Sequence, residues 1–454
     1  MNQPSTQSPS IRPKHCIVGA GPSGLAALRA MLNLGLSADL FERHDTVGGI
    51  WDRRNPGTPM YESAHFISSR DLSGFTGFPM PADYPDYPRN DQVLSYLKSF
   101  ADSYGLNEHI KLSTSVDSAS WDGSSWTVTT SDGQTRHYRT LTCANGTQWH
   151  PSTPDFPGLD TFTGETMHSR DYDRGALFEG KRVLIVGAGN SGVDIACDAA
   201  RFAAFAAISV RRGYHLIPKH ILGKPADVFA TTGPHIPTRI AQSVFPRLLK
   251  ATMGDPSKYG WPKPDHKILE SHPILNDQIL HHLRHGDIEV RTNVDRFEGP
   301  DVVFVCGRRE QFDLVIFATG YDMKVPYLSR DTFEWKGNRP RLFLRVFSPA
   351  QDGLACLGFT EGDGAAYELF DNMADMIARS ALAAESNPEE YARLRKRFAG
   401  PDIDLSGGAS YVNSDRHAVY VNLHAWQKVQ KDFRKELGWP PITATSFERL
   451  RRRP

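Results

Sequence analysis

The chain has 454 residues, enough for two or three domains with well-packed cores. Lys plus Arg equals Asp plus Glu at 52 each, so no global field draws in nucleic acid or an acidic membrane. Apolar residues make up 39% and charged residues 23%, a soluble globular balance, and no apolar run reaches the roughly 18–20 residues of a membrane span. The first fourteen residues are polar and rich in Ser and Pro, without a secretory core. Cys16, Cys143, Cys197, Cys306 and Cys356 form no CxxC, which suits a reducing compartment. A cytoplasmic protein with no nucleic-acid or membrane partner is expected. A homo-oligomer is compatible with the sequence, which is silent on oligomeric state.

In chain order, His15 to Arg43 reads as strand (HCIVGAG), helix (PSGLAALRAMLNLG) and strand (ADLFER). Val47 to Trp51 (VGGIW) follows, then residues 55–91, crowded with Pro, Gly and aromatics. QVLSYLKSFADSYG predicts an amphipathic helix closed by Gly105. Residues 112–143 alternate as short strands with turns at Asp122–Gly123 and Asp132–Gly133. Arg182 to Arg212 repeats the opening pattern as RVLIVGAG, NSGVDIACDAARFAA and AISVRR. Residues 213–275 read as an elaboration of this second unit, 313–321 (DLVIFATGY) as a buried strand, and Leu369–Glu385 as a helix. The last seventy residues give weak signals, and the tail Arg449, Arg451, Arg452 and Arg453 reads as a frayed, solvated end.

The two glycine turns, GAGPSG (Gly19 to Gly24) and GAGNSG (Gly187 to Gly192), lie 168 residues apart. Each follows an apolar strand and opens a helix, which lets the backbone and a free helix N-terminus meet a pyrophosphate. Gly19 and Gly187 make the turn, Gly21 and Gly189 admit the phosphate, and Gly24 and Gly192 let helix and strand pack. Pro22 and Ser23, and Asn190 and Ser191, complete the cradles. Glu42, eighteen residues past Gly24, would accept ribose hydroxyls and repel a 2′-phosphate, so this site favours FAD or NAD. The second unit has Val210 there, then Arg211 and Arg212, which suit the 2′-phosphate of NADPH. Gly49 and Trp51 offer close backbone and an apolar wall for a flat tricyclic ring.

With these pieces the chain resembles the flavin-containing monooxygenases, class B flavoproteins that include Baeyer–Villiger enzymes. The resemblance rests on GAGPSG, Glu42, GGIW, DYPDYP (83–88), QVLSYL (92–97), FTGETMHSRDY (162–172), GAGNSG, SVRRG (209–213) and FATGY (317–321), in the family's order. It implies an α/β fold of two Rossmann-like dinucleotide-binding domains. The FAD domain is then discontinuous (1–160 and 316–454), and the NADPH domain covers 161–315 with the elaborated insertion 213–275. It also implies that NADPH reduces FAD, that dioxygen forms a flavin hydroperoxide, and that one oxygen atom passes to a small organic substrate. Residues 162–172 match the pattern F-x-G-x-x-x-H-x-x-x-Y of nitrogen- and sulfur-oxygenating members; Baeyer–Villiger members usually carry Trp where this chain has Tyr172. Phe162, His168 and Tyr172 would order a hinge, Asn145 and Gly146 the outward crossing, and Thr319 and Gly320 the return.

The family often places an Asn where Ile67 stands here, with Ser68, Ser69 and Arg70 beside it as the candidate catalytic residues at the flavin edge. That departure keeps two alternatives open: Baeyer–Villiger oxidation of a ketone, and a weakly coupled NADPH oxidase. Gly362, Asp363 and Gly364 are expected near the flavin's far ring, and Tyr214 and His215 near the nicotinamide half. Lys263 to His266 (KPDH) is a candidate lid segment. His281, His282 and His285, with His266 and His272 upstream, lack the carboxylate or Cys partners of a metal site and read as solvated or capping residues. The missing CxxC argues against a pyridine nucleotide–disulfide reductase. A nucleotide-sensing flavoprotein would differ by consuming no NADPH.

Overall fold

The computed structural model describes residues 15–232, 238–414 and 417–452. The opening βαβ unit forms as its periodicity predicts: strand His15–Val18, helix Pro22–Asn33 and strand Ala38–Phe41. Pro22 stands in the first helical turn, where a missing N–H costs nothing. The sheet built on this unit is wholly parallel, in the order Leu354–Cys356, Thr140–Cys143, His15–Val18, Ala38–Phe41, Ile110–Lys111. Its central strands are buried along their whole length, as a sheet covered on both faces requires. Leu354–Cys356 arrives only after the entire second unit, so this sheet is discontinuous in sequence.

The second sheet is also parallel, in the order Glu289–Arg291, Phe205–Ser209, Arg182–Val186, Leu314–Phe317, Glu165–His168. All of Leu314–Phe317 pairs within it, so the expected boundary at 315/316 falls inside a strand. A strand hydrogen-bonded on both sides cannot be divided between two folding units.

Between the sheets, Val116–Trp121, Trp126–Thr130 and Thr135–Tyr138 form an antiparallel meander. Asp122 fastens its first turn by accepting from the backbone N–H groups of Ser124 and Ser125. The elaboration contains helices Ala226–Thr232 and Thr238–Met253. It leans on the first half of the chain: the Ser69 N–H donates to Asp227 at 2.7 Å, and His220 meets Asp86 at 2.9 Å.

The cradle helix Pro22–Asn33 packs on the long helix Ala366–Ser386. There the fully buried Arg29 donates to Asp371 at 2.5 Å and lies 3.7 Å from the Phe447 ring centroid. Removing one partner of such a pair costs about 3–5 kcal/mol, because a charge is left buried alone.

The C-terminal region is more ordered than its sequence signals suggested. Helix Pro388–Phe398 is capped by Asn387, whose side chain accepts from the Glu390 N–H, and helix Leu423–Leu437 by Asn422 in the same way. The basic tail is docked, not frayed. Arg452 N–H donates to Ser103 O at 2.8 Å, its guanidinium pairs with Glu108, and Arg449 reaches Asn33 O at 3.3 Å. Phe447, buried beneath Arg29, pins the segment. Arg453 and the first fourteen residues lie outside the described residues. No helix among the described residues is long and apolar enough to cross a membrane.

Candidate active site

The two glycine turns match contact for contact. Gly19 has φ +104°, and a Cβ on it would stand 2.6 Å from Ala144 O; Gly187 has φ +108°, and its Cβ would stand 2.5 Å from Ala318 O. A Cβ on Gly24 would lie 1.7 Å from Gly19 O, and one on Gly192 would lie 2.1 Å from Gly187 O. The Ala144 N–H donates to Val18 O at 2.9 Å and the Ala318 N–H to Val186 O at 2.8 Å, so the correspondence extends to CANG and FATG. The middle glycines differ: Gly21 would meet nothing nearer than Gly49 Cα at 3.6 Å, and Gly189 nothing within 4 Å. Each turn therefore forbids a side chain where it packs and leaves room where a pyrophosphate would lie. Neither helix has a side-chain N-cap, so the first-turn N–H groups face that room.

Charge separates the two sites. Glu42 is buried; its Oε2 accepts from the Ala20 N–H at 2.6 Å and its Oε1 from the His44 N–H at 2.9 Å. The carboxylate is thus clamped against the first glycine turn. In the second unit Val210 is buried, Arg211 is exposed and Arg212 is half-buried. Neither arginine has a hydrogen-bonded carboxylate partner among the described residues, and Arg212 Nε is buried without an acceptor. Two uncommitted guanidinium groups beside a pyrophosphate cradle fit a 2′-phosphate.

Aromatic contacts join three separate segments at the first cradle. A Cβ on Gly49 would lie 2.9 Å from Gly21 Cα, so GGIW presses back to back on GAGPSG. Trp51 stacks on Phe66 (centroids 5.0 Å, 27°), and Phe66 meets Tyr367 edge-on at 5.5 Å. Residues 65–70 and the first turn of helix Ala366–Ser386 are thereby brought to the expected flavin wall. Ile67 points partly to solvent, 40% exposed. Ser69 is buried, and its Oγ has no partner among the described residues. Ser68 Oγ accepts from Ser73 Oγ at 2.8 Å. Arg70 spends its donors on Ala82 O (2.8 Å), Tyr84 O (2.5 Å) and Asp71 (2.9 Å), which clasps the loop.

Several expected cofactor residues are engaged by the protein itself. Asn145 donates to Gly146 O and Lys324 O at 3.1 Å each and accepts from Tyr327 at 2.9 Å. Thr319 Oγ1 donates to Ser152 O at 2.6 Å, and Gly320 O accepts from the Ser152 N–H at 3.0 Å, which stitches the outward and return crossings together. Asn190 donates to Pro273 O (3.4 Å) and accepts from the Leu275 N–H (3.1 Å), tying the second cradle to the elaboration. Ser23 is buried, 3.1 Å from where a Cβ on Gly358 would stand, whereas Ser191 is exposed. Gly364 packs on Leu423, and Asp363 accepts from Leu423 N–H and Asn422 Nδ2 at 2.7 Å each.

The linker motif sits at the seam of the two units. His168 Nδ1 accepts from the Arg170 N–H at 3.1 Å, its ring meets Tyr321 edge-on, and burial lowers its pKa. Tyr172 donates to Asp198 Oδ2 at 2.9 Å, and the same oxygen accepts from Ser63 Oγ at 2.5 Å. One helical turn away, Asp194 accepts from Tyr61 at 3.0 Å and from Asn276 at 2.7 Å, and burial raises its pKa. Sequence reasoning missed Tyr61, Ser63, Asp194, Asp198 and Asn276. The available signal was a pair of carboxylates four residues apart among the apolar positions of NSGVDIACDAARF, where burial demands donors from elsewhere.

Tyr214, His215 and Lys263 line a cavity of about 220 Å³ with Trp261, Leu249 and Met253, so KPDH does face the segment that follows the arginine pair. His282 meets the Asp287 carboxylate at 2.9 Å, and His281 packs on His285. His44, Asp45 and Asp52 also converge, but Arg54 already bonds Asp52 at 2.8 Å.

Comparison with known proteins agrees with this geometry. Residues 12–390 match the family described as flavin-binding monooxygenase-like. The chain belongs to that family. It is 32% identical to flavin-containing monooxygenase 5 of Homo sapiens over 89% of this chain and 79% of that protein. It is 33% identical to flavin-containing monooxygenase 3 of Homo sapiens, over 79% and 71% respectively. The fold is shared with S-allyl-L-cysteine S-oxygenase of Allium sativum (TM-score 0.65, 20% identity, covering 96% of this chain and 92% of that one). It is also shared with an NADP⁺-bound cyclohexanone monooxygenase from Rhodococcus (TM-score 0.70, 18% identity, covering 94% and 98%). As a flavin-containing monooxygenase, the protein is an NADPH-dependent oxidoreductase that uses FAD and dioxygen.

Proposed function

We propose that the protein transfers one oxygen atom from dioxygen to a nitrogen or sulfur atom of a small organic substrate, with FAD in the first cradle and NADPH in the second. The observation that carries this reading is the opposite charge beside two matching turns, Glu42 at one and Arg211–Arg212 at the other. When bound, FAD reduced by NADPH supplies the activation of dioxygen. The chain's own groups bind, orient and exclude water. The backbone at Gly21, Pro22 and Ser23 holds one pyrophosphate and that at Gly189, Asn190 and Ser191 the other. Glu42 accepts ribose hydroxyls, and Arg211 and Arg212 clamp the 2′-phosphate. The aromatic cluster Trp51–Phe66–Tyr367 backs the flavin and keeps solvent from it. Ser69, with its free buried hydroxyl, is the residue of 68–70 best placed to offer a hydrogen bond at the ring's edge. The two nucleotide units comprise residues up to about 160 with those after Phe317, and 161–317 between them. The five cysteines are free thiols, which supports a reducing, cytoplasmic setting.

Tyr172 at the close of the linker motif favours nitrogen or sulfur oxygenation. Ile67, apolar and part-exposed in place of the family's Asn, favours the second reading of a ketone substrate or of poor coupling. Purified yellow protein given NADPH with a thioether, an amine or a ketone decides among them. Sulfoxide or N-oxide formed in step with NADPH oxidation supports the proposal. Ester formation alone supports the second reading, and NADPH consumption that no substrate couples to product defeats the first.

A further inference from the structure

A second cavity, of about 310 Å³, lies between residues 336–345 and 398–405. No cradle residue lines it. Its charged lining is Lys336, Arg339, Arg341 and Arg345 with Asp402 and Asp404, and Arg341 is also paired with Glu334 at 2.8 Å. Both carboxylates are already engaged: Asp402 accepts from Arg341 Nε at 2.8 Å, and Asp404 accepts from the Ser406 N–H at 2.9 Å.

Arg345 is in a different condition. It is half-buried, its Nε has no hydrogen-bond partner among the described residues, and burial weakens its hold on the proton against the opposing pull of the Asp402 charge. Its backbone is unusual too. Leu344 (φ +51°) and Arg345 (φ +63°) are consecutive non-glycine residues in the left-handed region. They are the two central residues of a tight hairpin turn, closed by the Val346 N–H on Phe343 O at 3.0 Å, a conformation that costs side-chain-bearing residues some strain. Here the Leu344 carbonyl is held by the buried Trp426 Nε1 at 3.1 Å, and the Arg345 N–H by Leu342 O at 3.1 Å. The turn thus keeps a guanidinium without a hydrogen-bonded acceptor beside a cavity that also carries an apolar wall of Phe343, Phe398, Ile403, Leu405 and Val419.

We propose that this cavity binds a small organic carboxylate, its head group on Arg345 and its apolar body along Phe343, Phe398 and Leu405. The volume is at the lower end for small-molecule sites. The planar guanidinium fork of Arg345 matches a carboxylate. A bare inorganic anion would leave the apolar wall unused.

Titration calorimetry on the FAD-loaded protein tests this with benzoate, with benzamide as the uncharged isostere and inorganic phosphate as the anion without an apolar body. Saturable benzoate binding at one site is expected, with benzamide and phosphate at least about tenfold weaker. Arg345→Gly is the decisive variant, because glycine adopts positive φ without strain. It is expected to keep its flavin, unfold at the same or a higher temperature, and lose benzoate affinity about tenfold or more. Lys336→Glu, exposed at the rim, keeps the fold in any case and is expected to weaken benzoate several-fold. Absence of saturable benzoate binding overturns the proposal. So does equal binding by wild type and folded Arg345→Gly, or benzamide or phosphate binding as tightly as benzoate.

Discussion

Tyr172 donates to Asp198 through a 2.9 Å hydrogen bond inside the second nucleotide unit, and Ser63 reaches the same carboxylate oxygen from the first. The residue that closes the linker motif therefore orders the junction instead of reaching toward a substrate. Tyr172→Phe keeps the stack on Phe178 (5.0 Å, 7°) and deletes only the hydroxyl. Urea unfolding is expected to show a loss of about 1–2 kcal/mol, and the oxygenated product should stay the same. Asp198→Ala strands two donors and should cost more. A Tyr172→Phe variant of unchanged stability whose product shifts from sulfoxide to ester would assign Tyr172 to the chemistry.

Arg211 has no carboxylate to lose, so Arg211→Ala changes little but the nucleotide site. The KM for NADPH is expected to rise about tenfold or more, the worth of one charge-assisted bond, while that for NADH moves little. Parallel steady-state titrations with the two nucleotides check this, and equal losses would remove the 2′-phosphate assignment.

The glycines of one cradle should fail in different ways. Gly21→Val places its side chain in open room beside Gly49, so a folded but colourless protein is expected. Gly24→Val drives the side chain into Gly19 O, where a Cβ would already stand 1.7 Å away, so little soluble protein is expected. Absorbance spectra and circular dichroism separate the two outcomes.

Ile67 is part-exposed and beside the Trp51–Phe66 stack, so Ile67→Asn should leave stability nearly unchanged. If the polar residue restores what the family keeps at this place, a smaller share of consumed NADPH will end as hydrogen peroxide. An unchanged share, measured with a peroxide assay beside NADPH oxidation, counts against the correspondence of Ile67 with that Asn.

The βαβ units, the glycine turns and the Glu42–Arg211 asymmetry were legible in the sequence because they are local. A strand, a tight turn and the next helix are specified by neighbouring residues, and period and glycine spacing carry that information. The helices capped by Asn387 and Asn422 were local as well, but their Asn and Pro signals lay in a stretch with little other patterning. Tertiary structure alone decided which buried polar groups meet. Asp194 and Asp198 find donors from Tyr61, Ser63 and Tyr172; Asn145 and Thr319 spend their side chains on the crossings; and Arg345 is left without an acceptor. Those outcomes depend on distant segments sharing one interior, where every unpaired polar group is costly, and no window of sequence contains both partners.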